Sequence, residues 1–132
     1  MPFFRSICLV FSEDRISEMK KFEDIINANY PSLIINKHFN LLEPLELLST
    51  ANIMAPEYIF IEDMHISDSM YSILRKICRL EKLGETKIVL FGSETGKLDK
   101  SKLRNCKVKM LTIPDYNNID LKEISKSLKE AF

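Results

Sequence analysis

The sequence predicts an α/β fold: a doubly wound, five-stranded parallel sheet with five helices on its two faces. Two observations carry this. Short, nearly continuous apolar runs, of the kind a strand buried on both faces requires, recur along the chain. Longer stretches with apolar residues three and four apart alternate with them, and the connections are only a few residues long. At 132 residues the chain has room for one good core, and no repeat, linker or low-complexity tract divides it. A single domain over 1–132 is expected.

The elements follow in order. Ser6-Ile7-Cys8-Leu9-Val10-Phe11 is the first strand, and it ends in Ser12-Glu13-Asp14. A helix follows with Ile16, Met19, Phe22, Ile25 and Ile26 on one face, and Tyr30-Pro31 stops it, because proline disfavours helix in the residue before it. Leu33-Ile34-Ile35 begins the second strand. Residues 41–48 form a helix in which Pro44 is tolerable only near the first turn. Pro56-Glu57 introduces the third strand, Tyr58-Ile59-Phe60-Ile61, which runs into Glu62-Asp63. Residues 69–83 are helical through Met70, Ile73, Leu74, Ile77 and Leu80, with Gly84 as the stop. Lys87-Ile88-Val89-Leu90-Phe91 is the fourth strand, ending at Gly92. The polar, lysine-rich stretch 93–107 holds a short helix around 100–104. Residues 108–113 are the fifth strand, closed by Pro114, and Ile119, Leu121, Ile124, Leu128 and Phe132 mark a last helix.

Composition narrows the function. Lys+Arg and Asp+Glu are both 19, so net charge argues for neither nucleic acid nor membrane as a partner. No apolar run approaches the roughly 20 residues of a bilayer span, and the start has no signal-peptide cleavage pattern, so a cytoplasmic location is expected. Cys8, Cys78 and Cys106 have no C-x-x-C spacing, which fits neither disulfides nor zinc. Cys8 and Cys78 read as core fillers and Cys106 as an exposed thiol. His38 and His65 have no ligand spacing. With only three glycines there is no phosphate-binding glycine loop, and no nucleophile set stands out.

In an open α/β sheet, ligands bind beyond the carboxyl ends of the strands. There the chain carries Ser12, Glu13 and Asp14, then Glu62 and Asp63, then Gly92 and Ser93, then Ile113 and Pro114. Glu13, Asp14, Glu62 and Asp63 are expected to converge in one crevice, where their repulsion requires a cation, a lysine or a proton to offset it. Helix-capping alone accounts for Glu13 and Asp14. It accounts less well for Glu62 and Asp63.

The stretch 30–64 resembles the receiver domain of response regulators, of the chemotaxis-regulator kind. A second strand leads through a polar loop to a helix ending in Leu47-Leu48. Pro56-Glu57 and four apolar residues then precede the acceptor position, and Ile113-Pro114 closes the fifth strand where that pattern expects it. The resemblance implies a flavodoxin-like fold with strand order 2-1-3-4-5, and a phosphorylatable aspartate with Mg²⁺. This sequence departs from the pattern at the site. The acceptor position falls on Glu62, with Asp63 one residue on. The acidic pair after the first strand falls on Ser12 and Glu13, with Asp14 as a displaced carboxylate. The hydroxyl residue falls on Gly92, the lysine on Ile113, and the switching aromatic on Met110.

Ile113 cannot neutralise a phosphoryl group, and Gly92 cannot hydrogen-bond one. The expectation is therefore a degenerate pseudo-receiver: not an enzyme, without cofactor, and acting through protein–protein contact. One alternative is a phosphorylatable receiver using Asp63, with Glu13, Asp14 and Mg²⁺ as the metal site. A second is a small enzyme on the same fold. Lys97, Lys100, Lys102, Arg104, Lys107 and Lys109, against the single acid Asp99, form a basic segment beside Met110. It is either a solvated face or a surface that steers an acidic signalling partner or a second copy of the chain. No aromatic interleaves with these residues, so nucleic acid is not the expected partner.

Overall fold

The computed structural model describes residues 6–29, 31–50, 55–62, 68–80, 83–92, 98–103 and 106–112. Five strands, β1 (Ser6–Val10), β2 (Ile34–His38), β3 (Tyr58–Glu62), β4 (Lys87–Gly92) and β5 (Val108–Thr112), form one sheet in the order β2-β1-β3-β4-β5. Every pairing is parallel. The helices are α1 (Ile16–Asn29), α2 (Leu42–Ser49) and α3 (Asp68–Cys78), with 3-10 turns at Glu13–Arg15 and Lys100–Leu103.

The three inner strands are apolar on both faces because each face carries a separate core. Ile7, Leu9, Phe11, Phe60, Val89 and Phe91 point to the α1 side, where Met19, Phe22 and Ile26 cover them. Phe22 is the centre of that layer. Its ring stacks on Phe91 at 5.1 Å and meets Phe11 and Phe60 edge-on at 5.9 and 5.3 Å, geometries that add to the burial of large rings. On the other face Cys8, Val10, Ile59, Ile61, Ile88 and Leu90 pack beneath Leu48 of α2 and Leu74 and Ile77 of α3. The helix start before α2 is fixed by Asn40, whose Oδ1 accepts the Glu43 N–H at 2.8 Å, as a capping amide does.

Strand order and parallel pairing agree with expectation, and three differences have physical causes. β2 runs on through Asn36, Lys37 and His38, because an edge strand is exposed and tolerates polar residues. α3 ends at Cys78 rather than near 83. The Arg79 N–H is shared between the Arg75 and Lys76 carbonyls, and Leu80 and Leu83 donate three residues back, so the chain unwinds in tight turns that still bury Leu83. Five helices were expected; three α-helices lie among the described residues. The fourth helical segment is the 3-10 turn Lys100–Leu103, where Asp99 Oδ1 takes the Ser101 N–H at 3.0 Å. The expected last helix lies outside the described residues.

Candidate functional site

The carboxyl ends of the central strands form the site. Glu62 is the last residue of β3 and continues the alternation of Tyr58 and Phe60, which places it on the α1 side of the sheet. It pairs with Phe91 on β4. Val10 pairs with Ile61 on the opposite side, so the next residue, Phe11, lies beside Glu62 there. A carboxylate thus stands between two fully buried phenylalanines, whose rings approach to 4.9 Å.

Glu62 is 0% exposed. A charge so placed survives only with compensating partners. The Ser12 N–H donates to its Oε1 at 3.2 Å, and Arg15 Nε lies 3.8 Å from its Oε2. Both partners come from the turn after β1. Ser12 is extended, with φ −69° and ψ 148°, and its carbonyl accepts the Arg15 N–H at 3.0 Å. That 3-10 turn carries Arg15 inward, while Glu13 and Asp14 stay exposed. Where four carboxylates were expected to converge, this turn brings a guanidinium to Glu62 and leaves Glu13 and Asp14 exposed; Asp63 lies outside the described residues. Among the described residues no three His, Cys, Asp or Glu side chains gather as a metal-holding group.

Gly92 ends β4, buried, with φ 136°. That region is open to glycine and closed to residues with a Cβ. The position that the receiver resemblance reserves for a hydroxyl residue is therefore set by backbone geometry here. His38 ends β2 and is buried. Its Nδ1 lies 2.7 Å from Glu43 Oε1, and its carbonyl accepts the Phe11 N–H at 3.1 Å. Cys8 is buried beside it, and burial, aided by the Glu43 charge, pushes its thiol up to about 12.

Met110 is half-buried and packs, with Val108, against the core on the α2–α3 face. Lys102 sits over the Tyr71 ring, with Nζ 5.1 Å from its centroid. Lys107 and Lys109 are exposed. Asp63, His65, Ser93, Lys97, Arg104 and Ile113 lie outside the described residues, as does the side chain of Lys100. The functional residue that sequence reasoning missed is Arg15. Its signal was there: a basic residue three positions after Ser12, in a turn the strand-end rule already placed at the crevice.

No protein-family model and no curated protein matches the sequence. Solved structures do match in fold. The chemotaxis response regulator CheY4 of Vibrio cholerae superposes with a TM-score of 0.70 at 12% identity, covering 98% of this chain and 100% of that one. The fold is that of receiver domains. The phosphorylated cyanobacterial phytochrome response regulator RcpA gives a TM-score of 0.73 at 15% identity over 97% of this chain and 93% of its own. A segment amounting to 17% of the lysine decarboxylase LdcF of Francisella novicida also matches, at a TM-score of 0.63 and 16% identity over 96% of this chain. The receiver fold therefore occurs inside an enzyme as well as in signalling proteins, and function has to be argued from the site. No helix among the described residues is long and apolar enough to cross a membrane.

Proposed function

We propose that this chain is a receiver-like signalling domain that works by protein–protein contact without aspartyl phosphorylation. The observation that carries the reading is the pairing of a buried carboxylate with a guanidinium at the acceptor-equivalent position. Glu62 is fully buried, held by the Ser12 N–H and faced by the Arg15 guanidinium. A built-in cation here does what a metal ion would otherwise do, and it does so permanently. Mg²⁺ suits the surroundings poorly, because it takes near-octahedral oxygen ligands at about 2.1 Å. Glu62 pairs with Phe91 on β4 and lies beside Phe11, the residue after β1, and among the described residues the nearby acids Glu13 and Asp14 are exposed.

The output then lies on the surface. The half-buried Met110, with exposed lysines on and before β5, presents an apolar centre and a basic rim to an acidic signalling protein. Incubation with acetyl phosphate and Mg²⁺, followed by intact-mass spectrometry, tests the central claim. An unchanged mass is expected. A stoichiometric phosphoryl adduct that disappears in Asp63→Asn overturns the reading and establishes the phosphorylatable alternative.

A further inference from the structure

The exposed apolar side chains gather toward one edge of the sheet. Among the described residues four large apolar side chains stand exposed, and three of them, Ile34, Leu42 and Leu47, belong to β2 and α2. Pro44 and Leu48 form the buried side of α2. Leu42, Glu43, Glu46 and Leu47, three and four apart, fall on its other side, and all four are exposed. Beside them a cavity of about 150 Å³ opens between α2 and the sheet, walled by Pro44, Leu47, Leu48 and Pro56. An apolar patch rimmed by polar groups marks a contact surface.

The charge on this face has one sign. Residues 41–50 hold two glutamates and no lysine or arginine. Lys37 of β2 turns instead to α1, where its Nζ bonds Glu23 Oε2 at 2.9 Å. The far edge has the opposite sign. Residues 97–109 hold six basic residues against Asp99, and Lys107 and Lys109 are exposed. There Leu103, Val108 and Met110 line an open cavity of about 380 Å³. β2 and β5 are the two outer strands of the sheet. A chain with no net charge is thus acidic and apolar along α2, and basic and apolar along β5.

We propose that the α2 face of one copy docks on the β5 face of the next, so that the chain assembles head to tail through opposite charges around apolar centres. The proposal rests on the reading of the β5 face as the output surface, and it identifies the acidic partner as a second copy of this chain. Because the two faces lie toward opposite edges, a pair of copies cannot satisfy both, and assembly continues past the dimer.

The test is sedimentation velocity of the whole protein over a concentration series at low and high salt. At low salt the mass should rise past that of a dimer, and it should fall toward the monomer as salt screens the contact. Lys107→Glu with Lys109→Glu removes the basic face. Glu46→Lys with Leu47→Ser removes the acidic one and spares Glu43, the partner of His38. Each double variant alone should associate at least about tenfold more weakly, with circular dichroism confirming its fold. Their equimolar mixture should recover association, since each supplies the face that the other lacks. A parent that is monomeric at every concentration and salt, a mass that levels off at the dimer, or a mixture that stays monomeric each overturns the proposal. A chain that stays monomeric and takes no phosphoryl group from acetyl phosphate loses the head-to-tail contact and keeps the proposed function.

Discussion

Glu62 and Arg15 face each other at the carboxyl end of β3, with Oε2 3.8 Å from Nε and the carboxylate wholly buried while 28% of the Arg15 side chain is exposed. Removing one partner of a buried pair costs about 3–5 kcal/mol, because the other charge is left without compensation. Here the Ser12 N–H remains, and solvent reaches Arg15. Arg15→Ala is therefore expected to lose about 2 kcal/mol in urea unfolding, below that range. Adding Glu62→Gln to that variant should recover much of the loss, since an amide no longer needs the cation. A double-mutant cycle in which the two changes simply add would remove the pair from the account of the site.

The same arrangement predicts weak metal binding. Calorimetric titration with Mg²⁺ should give an affinity weaker than millimolar, because the donors at hand among the described residues are exposed carboxylates and one glutamate already bonded. Sub-millimolar binding that is lost in Glu62→Gln would mean that the crevice opens to a cation after all.

Gly92 offers a backbone test. At φ 136° an added Cβ is strained, and Gly92→Ala is expected to cost about 1–3 kcal/mol. Gly92→Ser, which would restore a hydroxyl at the receiver position, should cost as much and confer no phosphorylation. Unfolding midpoints and intact mass after acetyl phosphate read the two effects separately. A Gly92→Ser variant as stable as the parent would show that the strand end relaxes.

The central sheet was legible because β1, β3 and β4 are apolar on both faces, as strands of a parallel sheet covered on both sides are, and because amphipathic helical stretches alternate with them. β2 was legible only where it is apolar, since Asn36, Lys37 and His38 sit at an edge where pattern and burial part company. Glu62 was found because it follows an apolar strand directly. Arg15 was missed because charge signs were counted along the turn, whereas a 3-10 turn decides which of three adjacent side chains enters the crevice.

Stability should fall at alkaline pH. Burial pushes the Cys8 thiol from 9.0 up to about 12, and Cys78 moves the same way through burial and the adjacent Cys106 sulfur. As pH rises past 9.0 the unfolded chain loses these protons while the native state keeps them, so the native state binds more protons and stability declines. The contribution is whole below pH 9.0 and fades toward pH 12. Each thiol adds a slope of up to about 1.4 kcal/mol per pH unit. Cys8→Ala should flatten the alkaline limb by about that amount, whatever its effect at neutral pH. Parallel limbs for parent and variant would show that Cys8 titrates as in the unfolded chain.

The last prediction separates signalling charge from structural charge on the β5 side. Lys102 is engaged within the fold: its Nζ stands over Tyr71, whose hydroxyl accepts the Asp99 N–H at 2.9 Å, and its own carbonyl accepts from Arg75 Nη1 at 3.5 Å. Lys102→Glu therefore exchanges a cation–π contact for a repulsive one and should lose about 1 kcal/mol of stability. Any effect on association would be mixed with that loss. Lys107 and Lys109 are exposed on either side of Val108, and their reversal to glutamate should leave stability within about 0.5 kcal/mol. If an acidic partner is steered to this face, that double reversal slows association by about tenfold at low salt and flattens its salt dependence. Glu62→Gln, deep in the crevice, should leave the association rate alone. Stopped-flow association with the signalling partner at two ionic strengths reads all three variants. A rate that responds to Glu62→Gln and ignores the Lys107 and Lys109 reversal would move the output from the β5 face to the crevice.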